Sequence, residues 1–277
     1  MDKKALSLAA AKARLLGVEM VYNAQSGHPG GSMSCMDVLT ALYFEVMNVD
    51  PKDPKNPDRD RFVMSKGHCS PAVYPVLALR GFFPVENLKM FRSIDGHMSG
   101  HVEMKYNPGV DMSTGSLGQG ISTAVGMALA GKVAGKSYRV YSILGDGEVA
   151  EGQVWEAMMA AAKYKLDNLC ACVDVNGLQI DGPTAEVMPT EPLDKKFEAF
   201  GWNVIKIDGH NFDEIVAAYE QAKTVKGKPT MILAKTVKGK GISFMENNVG
   251  FHGKAPNAEQ WETAKSELEA VIKGLEG

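Results

Sequence analysis

The sequence predicts an α/β fold, a parallel sheet with helices on both faces, and three observations carry that expectation. From Tyr138 onward, short apolar runs alternate with stretches whose apolar residues recur at steps of three and four. The apolar runs show no in/out alternation, the pattern of strands buried on both faces and hence of a parallel sheet covered by helices. The chain also opens and closes on helical periodicity. Its 277 residues, 45% hydrophobic and 23% charged, are enough for a sizeable core in one large domain or two small ones.

Taken in order, Leu8, Ala11, Leu15, Val18 and Tyr22 define an amphipathic helix that ends before the turn residues Ser26-Gly27-His28-Pro29-Gly30-Gly31. A second apolar stretch runs from Met36 to Val46. Pro51, Pro54 and Pro57 then rule out a continuous helix and make a solvated loop. The uncharged run Met112 to Gly131 has the length of a membrane span. It holds five glycines, five Ser or Thr and Gln119, so it reads as buried loop and helix instead, the helix covering Ile121 to Ala130. Strands are expected at Tyr138 to Leu144, Leu169 to Val175, Trp202 to Ile207 and Met231 to Ala234. Helices are expected at Gln153 to Tyr164, Leu193 to Phe200 and Phe212 to Thr224. Thr236 to Asn257, rich in Gly, Asn and Lys, reads as a long loop. A last helix follows, with Asn257 as N-cap, Gln260 three residues on, and Trp261, Ala264, Leu268, Val271 and Leu275 on one face. No internal repeat or low-complexity linker interrupts the chain.

Thirty Lys plus Arg against 33 Asp plus Glu give a net charge of −3, with no one-signed field to hold nucleic acid or an anionic membrane. Cys35, Cys69, Cys170 and Cys172 form no C-x-x-C pair and no disulfide framework, which fits a reducing, cytoplasmic setting. Lys12 and Arg14 interrupt the apolar stretch after Met1-Asp2-Lys3-Lys4, against a signal peptide.

Three constellations carry chemistry. Gly145-Asp146-Gly147 follows one strand, and Asp174-Val175-Asn176-Gly177 ends the next, with 28 residues between Gly147 and Asn176. Adjacent parallel strands deliver such residues to one carboxyl-end edge, where α/β sheets bind ligands. A carboxylate and an amide oxygen suit magnesium or calcium, whose shell a diphosphate and water complete. Each tripeptide alone reads as a strand-ending turn; their joint spacing favours the ligand site. Thr114-Gly115-Ser116-Leu117-Gly118-Gln119-Gly120 precedes a helix, where backbone N–H groups and the helix terminus favour phosphate, although close packing alone explains glycines equally well. All six histidines, His28, His68, His97, His101, His210 and His252, sit beside a glycine, with no local zinc spacing. Of these, His97 and His210 read as structural.

The GDG, some 25 to 30 residues, then Asn resembles the thiamine-diphosphate signature. SGHPGGS, DRFVMSKGH, the GH-x-E segment, TGSLGQG, GDG with Glu151-Gly152, D-x-N, AKTVKGKG and HGKAP resemble transketolase in order and spacing, from Ala9 to Pro256. That resemblance implies a thiamine-diphosphate-binding fold, with Asp146, Asn176 and the Leu178 carbonyl as ligands of Mg2+ or Ca2+. It implies His68 and His252 as diphosphate contacts, and Gly115, Ser116, Leu117 and Gly147 along the cofactor; Ser116 stands where the family has proline. His28, His101 and His252 would handle the donor sugar, and Glu151 would lie at a dimer interface. Glu151 is also an acid at a helix start, and the two roles are compatible. The implied reaction moves a two-carbon ketol unit from a ketose phosphate to an aldose phosphate, with the cofactor as electron sink.

The family's pyrimidine-binding and C-terminal domains have no counterpart in residues 1–277. The resemblance therefore implies a single diphosphate-binding domain, the N-terminal subunit of a split transketolase, working with a separate C-terminal subunit in an α2β2 hetero-oligomer on sugar phosphates. A 2-oxo-acid dehydrogenase subunit or a deoxyxylulose-phosphate-synthase-like protein would use the same cofactor, and the HPGGS and KGH histidines argue against the former. A non-catalytic cofactor-binding subunit stays open. A nicotinamide-binding domain is disfavoured, since no strand leads into G-x-G-x-x-G.

Overall fold

In a computed structural model, described over residues 2–277, helix α1 runs from Lys3 to Ala24 and is capped by the Asp2 side chain, which accepts from the Ala5 N–H. It is buried on several sides because α4 (Ser70–Arg80) and α10 (Ala258–Glu276) both pack on it. Pro75, inside α4, has no N–H to offer the Pro71 carbonyl, and that carbonyl lies against Gly17, where a Cβ would sit 2.3 Å from it. Helices α2 (Pro29–Ser34) and α3 (Met36–Ala41) follow α1, and α3 continues into a π turn, Leu42–Val46.

Strand β1 is Arg61–Met64, and α4 follows it. Then come α5 (Gln119–Val133), β2 (Val140–Gly145), α6 (Gly152–Lys163) and β3 (Leu169–Val175). A two-residue hairpin of β4 (Leu178–Gln179) and β5 (Gly182–Pro183) precedes α7 (Thr184–Val187) and α8 (Leu193–Ala199). The chain continues through β6 (Asn203–Asp208), α9 (Phe212–Thr224) and β7 (Thr230–Lys235) to α10.

The main sheet has the order β1-β2-β3-β7-β6 with every pair parallel. Alternate residues of each strand enter opposite cores. Tyr141, Ile143, Cys170, Cys172 and Ile232 pack with α1, α3, α4 and α9; Val140, Leu144, Leu169, Ala171 and Met231 pack with α5, α6 and α8. Both faces are apolar, which is why the strands carry no polar alternation.

The four strands read from the sequence form within two residues of their expected ends, and α9 matches its expected bounds. Strand β1 and helix α4 were not expected: β1 has only four residues, and Pro71 and Pro75 break the helical template of α4. The segment 236–257 is a long loop as expected, folded as a compact series of turns with a 3-10 turn at Val249–Phe251 and Gly239 N–H donating to Gly30 O at 2.9 Å. All four cysteines are buried and unpaired. Among the described residues no helix is long and apolar enough to cross a membrane.

Candidate cofactor and active site

Four neighbouring strands end at one edge of the sheet, and each hands over a motif. β1 leads into Ser65-Lys66-Gly67-His68, β2 into Asp146-Gly147-Glu148, β3 into Asn176-Gly177-Leu178 and β7 into Thr236-Val237-Lys238.

The β2 and β3 loops build an oxygen-rich corner. Asp146 accepts from Gly147 N–H at 2.9 Å and from Gly177 N–H at 2.6 Å, which joins the two strand ends. Burial, and then the Asp174 carboxylate, push its own carboxyl up to about 6. Asn176 donates its amide N–H to Asp174 Oδ2 at 3.1 Å, and this turns Oδ1 toward Leu178 N–H at 3.1 Å. The Leu178 carbonyl accepts from Lys238 Nζ at 3.2 Å. The structure brings Asp146, Asn176 and Leu178 together at this corner. Among the described residues no three His, Cys, Asp or Glu side chains gather as a metal cluster. A buried carboxylate with an amide and a carbonyl oxygen fits a hard cation that draws its remaining ligands from phosphate and water.

Asp174 explains the orientation of this corner. Buried beneath it, Asp174 also takes Lys66 Nζ at 2.5 Å, Ser34 Oγ at 2.5 Å and Thr236 Oγ1. Burial alone would lower the Lys66 ammonium, but Asp174, together with Cys35 and Cys69, outweighs it and holds Lys66 charged.

Four of the histidines form one cluster. Ring centroids lie 5.1 Å apart for His28 and His68, 5.7 Å for His28 and His101, 5.5 Å for His28 and His252, and 5.3 Å for His68 and His252. Burial and then His68 lower His28 to about 4, burial and then Lys238 lower His252 to about 3, and burial with His68 also lowers His101. These three imidazoles are therefore neutral at pH 7, able to donate, accept and take up a proton. His28 Nδ1 is buried with no partner, a polar atom that a ligand would satisfy. Gly115 closes the cleft: a Cβ there would lie 3.3 Å from the His101 ring.

Lys238, for which the sequence suggests no role, is 2% exposed and, among the described residues, bonds only to the Leu178 carbonyl and, at 3.0 Å, to His252 Nδ1. A buried ammonium with no carboxylate of its own is a site for an anion. Glu148 is the other missed residue, a buried carboxylate behind the Gly115 loop. Of the remaining expectations, Ser116 and Glu151 are exposed, Leu117 is half-buried, and Gly147 faces Gln179. His97 stacks on Tyr106 at 3.9 Å. His210 bonds to Asp37 at 2.7 Å and accepts from Val237 N–H at 2.9 Å, holding the loop that carries Lys238.

The family model for the transketolase thiamine diphosphate binding domain matches residues 5–271. The chain is 51% identical over 256 residues to the 6-deoxy-6-sulfo-D-fructose transketolase subunit SqwG of Clostridium sp. (strain MSTE9), covering 92% of this chain and 93% of that one. It is 44% identical to an apulose-4-phosphate transketolase subunit of Phocaeicola vulgatus, covering 100% and 98%. Human transketolase is 44% identical over 91% of this chain, which spans 40% of the human protein. The crystal structure of Campylobacter jejuni transketolase superposes with a TM-score of 0.91 at 34% identity, over 99% of this chain and 46% of that one. The chain belongs to the transketolase thiamine diphosphate binding domain family.

Proposed function

We propose that residues 1–277 form the single diphosphate-binding domain of a split transketolase, its N-terminal subunit, which works with a separate C-terminal subunit on anionic sugars. The observation that carries this is the single edge where Asp146, Asn176, Leu178 and Lys238 face the histidine cluster. Asp146, Asn176 and the Leu178 carbonyl would hold Mg2+ or Ca2+, and His68 and Lys238 the diphosphate, which the buried ammonium neutralises. Bound there, thiamine diphosphate would supply the electron sink for breaking and making the carbon–carbon bond of ketol transfer. Gly115, Ser116 and Leu117 would wall the cofactor, with Gly147 close to its diphosphate. His28, His101 and His252, neutral at pH 7, would position the donor's hydroxyls and move protons at its carbonyl oxygen.

Full-length coverage of relatives named as transketolase subunits supports the split arrangement. Their names carry a sulfonated and a phosphorylated sugar, which supports an anionic donor. Ketol transfer to an aldose phosphate, with thiamine diphosphate and magnesium, is expected only when the C-terminal subunit is added. Tight metal-dependent cofactor binding with no transfer in any mixture would instead make this a non-catalytic binding subunit.

A further inference from the structure

Glu148 is 2% exposed, and no Lys, Arg or His pairs with it among the described residues. Its Oε1 accepts from Ser65 Oγ at 2.5 Å and from Gly118 N–H at 2.9 Å, and its Oε2 accepts from Gly145 N–H at 3.0 Å. Ser65 Oγ in turn accepts from Ile121 N–H at 3.2 Å. One carboxylate therefore joins the ends of β1 and β2 to the start of α5. At the start of α5, Gly118 N–H is taken by Glu148, Gln119 N–H by the Ser116 carbonyl and Ile121 N–H by Ser65, so most of this helix start is satisfied from within the protein.

The glycines serve the same joint. A Cβ at Gly120 would lie 2.6 Å from Ser65 Cα, and one at Gly118, where φ is +79°, would lie 2.9 Å from the Glu151 Cβ. They let the loop approach, and Glu148 fixes where it stops. Glutamine could not replace it: both backbone partners are donors, so the amide nitrogen would meet one of them head-on and leave it unsatisfied.

We infer that Glu148 is the positioning residue of the cofactor cleft, fixing the Gly115 to Leu117 wall at a set place relative to Asp146 before any ligand binds. This rests on the thiamine diphosphate reading. The test uses the full chain as wild type, Glu148→Gln, and Leu169→Ala as a core control at the opposite end of β3. In Glu148→Gln the ligand-free amides of residues 114–121 should exchange at least about 10-fold faster than in wild type. The thiamine diphosphate Kd with magnesium should rise about 10- to 100-fold, a loss of one or two hydrogen bonds to charge. Inorganic pyrophosphate with magnesium, which reports only the side of the metal, His68 and Lys238, should change less than about threefold. Leu169→Ala should lower stability and leave all three readouts alone. Should Glu148→Gln fail to fold, Ser65→Ala removes one of the three bonds to Glu148 and the acceptor of the Ile121 N–H, and should move the same readouts in the same order. Unchanged thiamine diphosphate binding, equal loss of both ligands, or the same losses in Leu169→Ala would each overturn the inference. A wild-type chain that binds no thiamine diphosphate would overturn the functional reading, and this inference with it.

Discussion

Burial, with His68 beside His28 and Lys238 beside His252, holds His28 at about 4 and His252 at about 3, against 6.5 for a free side chain. Below pH 6.5 the unfolded chain takes up protons that the native cleft refuses. These residues thus contribute stability above pH 6.5 that is lost as the pH falls toward about 4. Both are part-exposed, so solvent screening leaves roughly 1 kcal/mol each. The urea midpoint should therefore fall from pH 7.5 to 4.5 more steeply in wild type than in a His28→Asn/His252→Asn variant, and parallel slopes would refute this. Lys238→Met should weaken thiamine diphosphate binding about 10- to 100-fold, the worth of a charge-assisted bond, and raise the His252 pKa, both measurable by calorimetry and NMR. The histidines were legible because each stands beside glycine in a recurring pattern. Lys238 was not: Lys235, Lys238 and Lys240 stand in one short stretch, and only the fold turns one of them inward. Glu148 likewise reads as an ordinary acid at a helix start until the β1 and α5 backbones close around it.

At the scale of elements, legibility follows how far a segment's pattern depends on partners. The runs that became β2, β3 and β7 are apolar on both faces and flanked by turns, so their burial could be read directly. Strand β1 owes its state to pairing with β2, Arg61 beside Val140 through Met64 beside Ile143, which no local pattern reveals. Helix α10 is the opposite case: both halves of its capping box form as expected, with Asn257 accepting from Gln260 N–H at 2.8 Å and Gln260 accepting from Asn257 N–H at 3.0 Å. It holds Trp261 stacked on Tyr22 of α1 at 5.3 Å and buries Ala264 and Leu268. Asn257→Ala should cost about 1 kcal/mol in urea unfolding, through the lost cap. A change within experimental error would mean that packing on α1 alone sets this helix start.

For the whole molecule, the parallel sheet under two helical layers followed from the alternation of elements, whereas what covers its open edge did not. Two segments flanking that edge carry exposed apolar side chains. Ile94 is 98% exposed and Met104 and Tyr106 are each 48% exposed on the histidine side; Ile180 is 64% and Met188 54% exposed beyond Leu178. Isolated exposed apolar residues are ordinary, but several around one cleft point to a surface covered in an assembly. The chain spans 40% of human transketolase and 46% of the Campylobacter jejuni protein, so those proteins have chain enough to cover such an edge. On the proposed split arrangement, mixing this chain with a C-terminal subunit should give, by light scattering, a mass of two copies of each. Ile94→Lys with Ile180→Lys should weaken that association at least about 10-fold, since each buried isoleucine contributes about 1.5–3 kcal/mol. Magnesium-dependent thiamine diphosphate binding by the isolated chain should stay within about threefold, because neither side chain belongs to the cofactor corner. Association that survives both lysines unchanged would move the interface away from this edge, and would leave the cleft to be closed by something other than the partner.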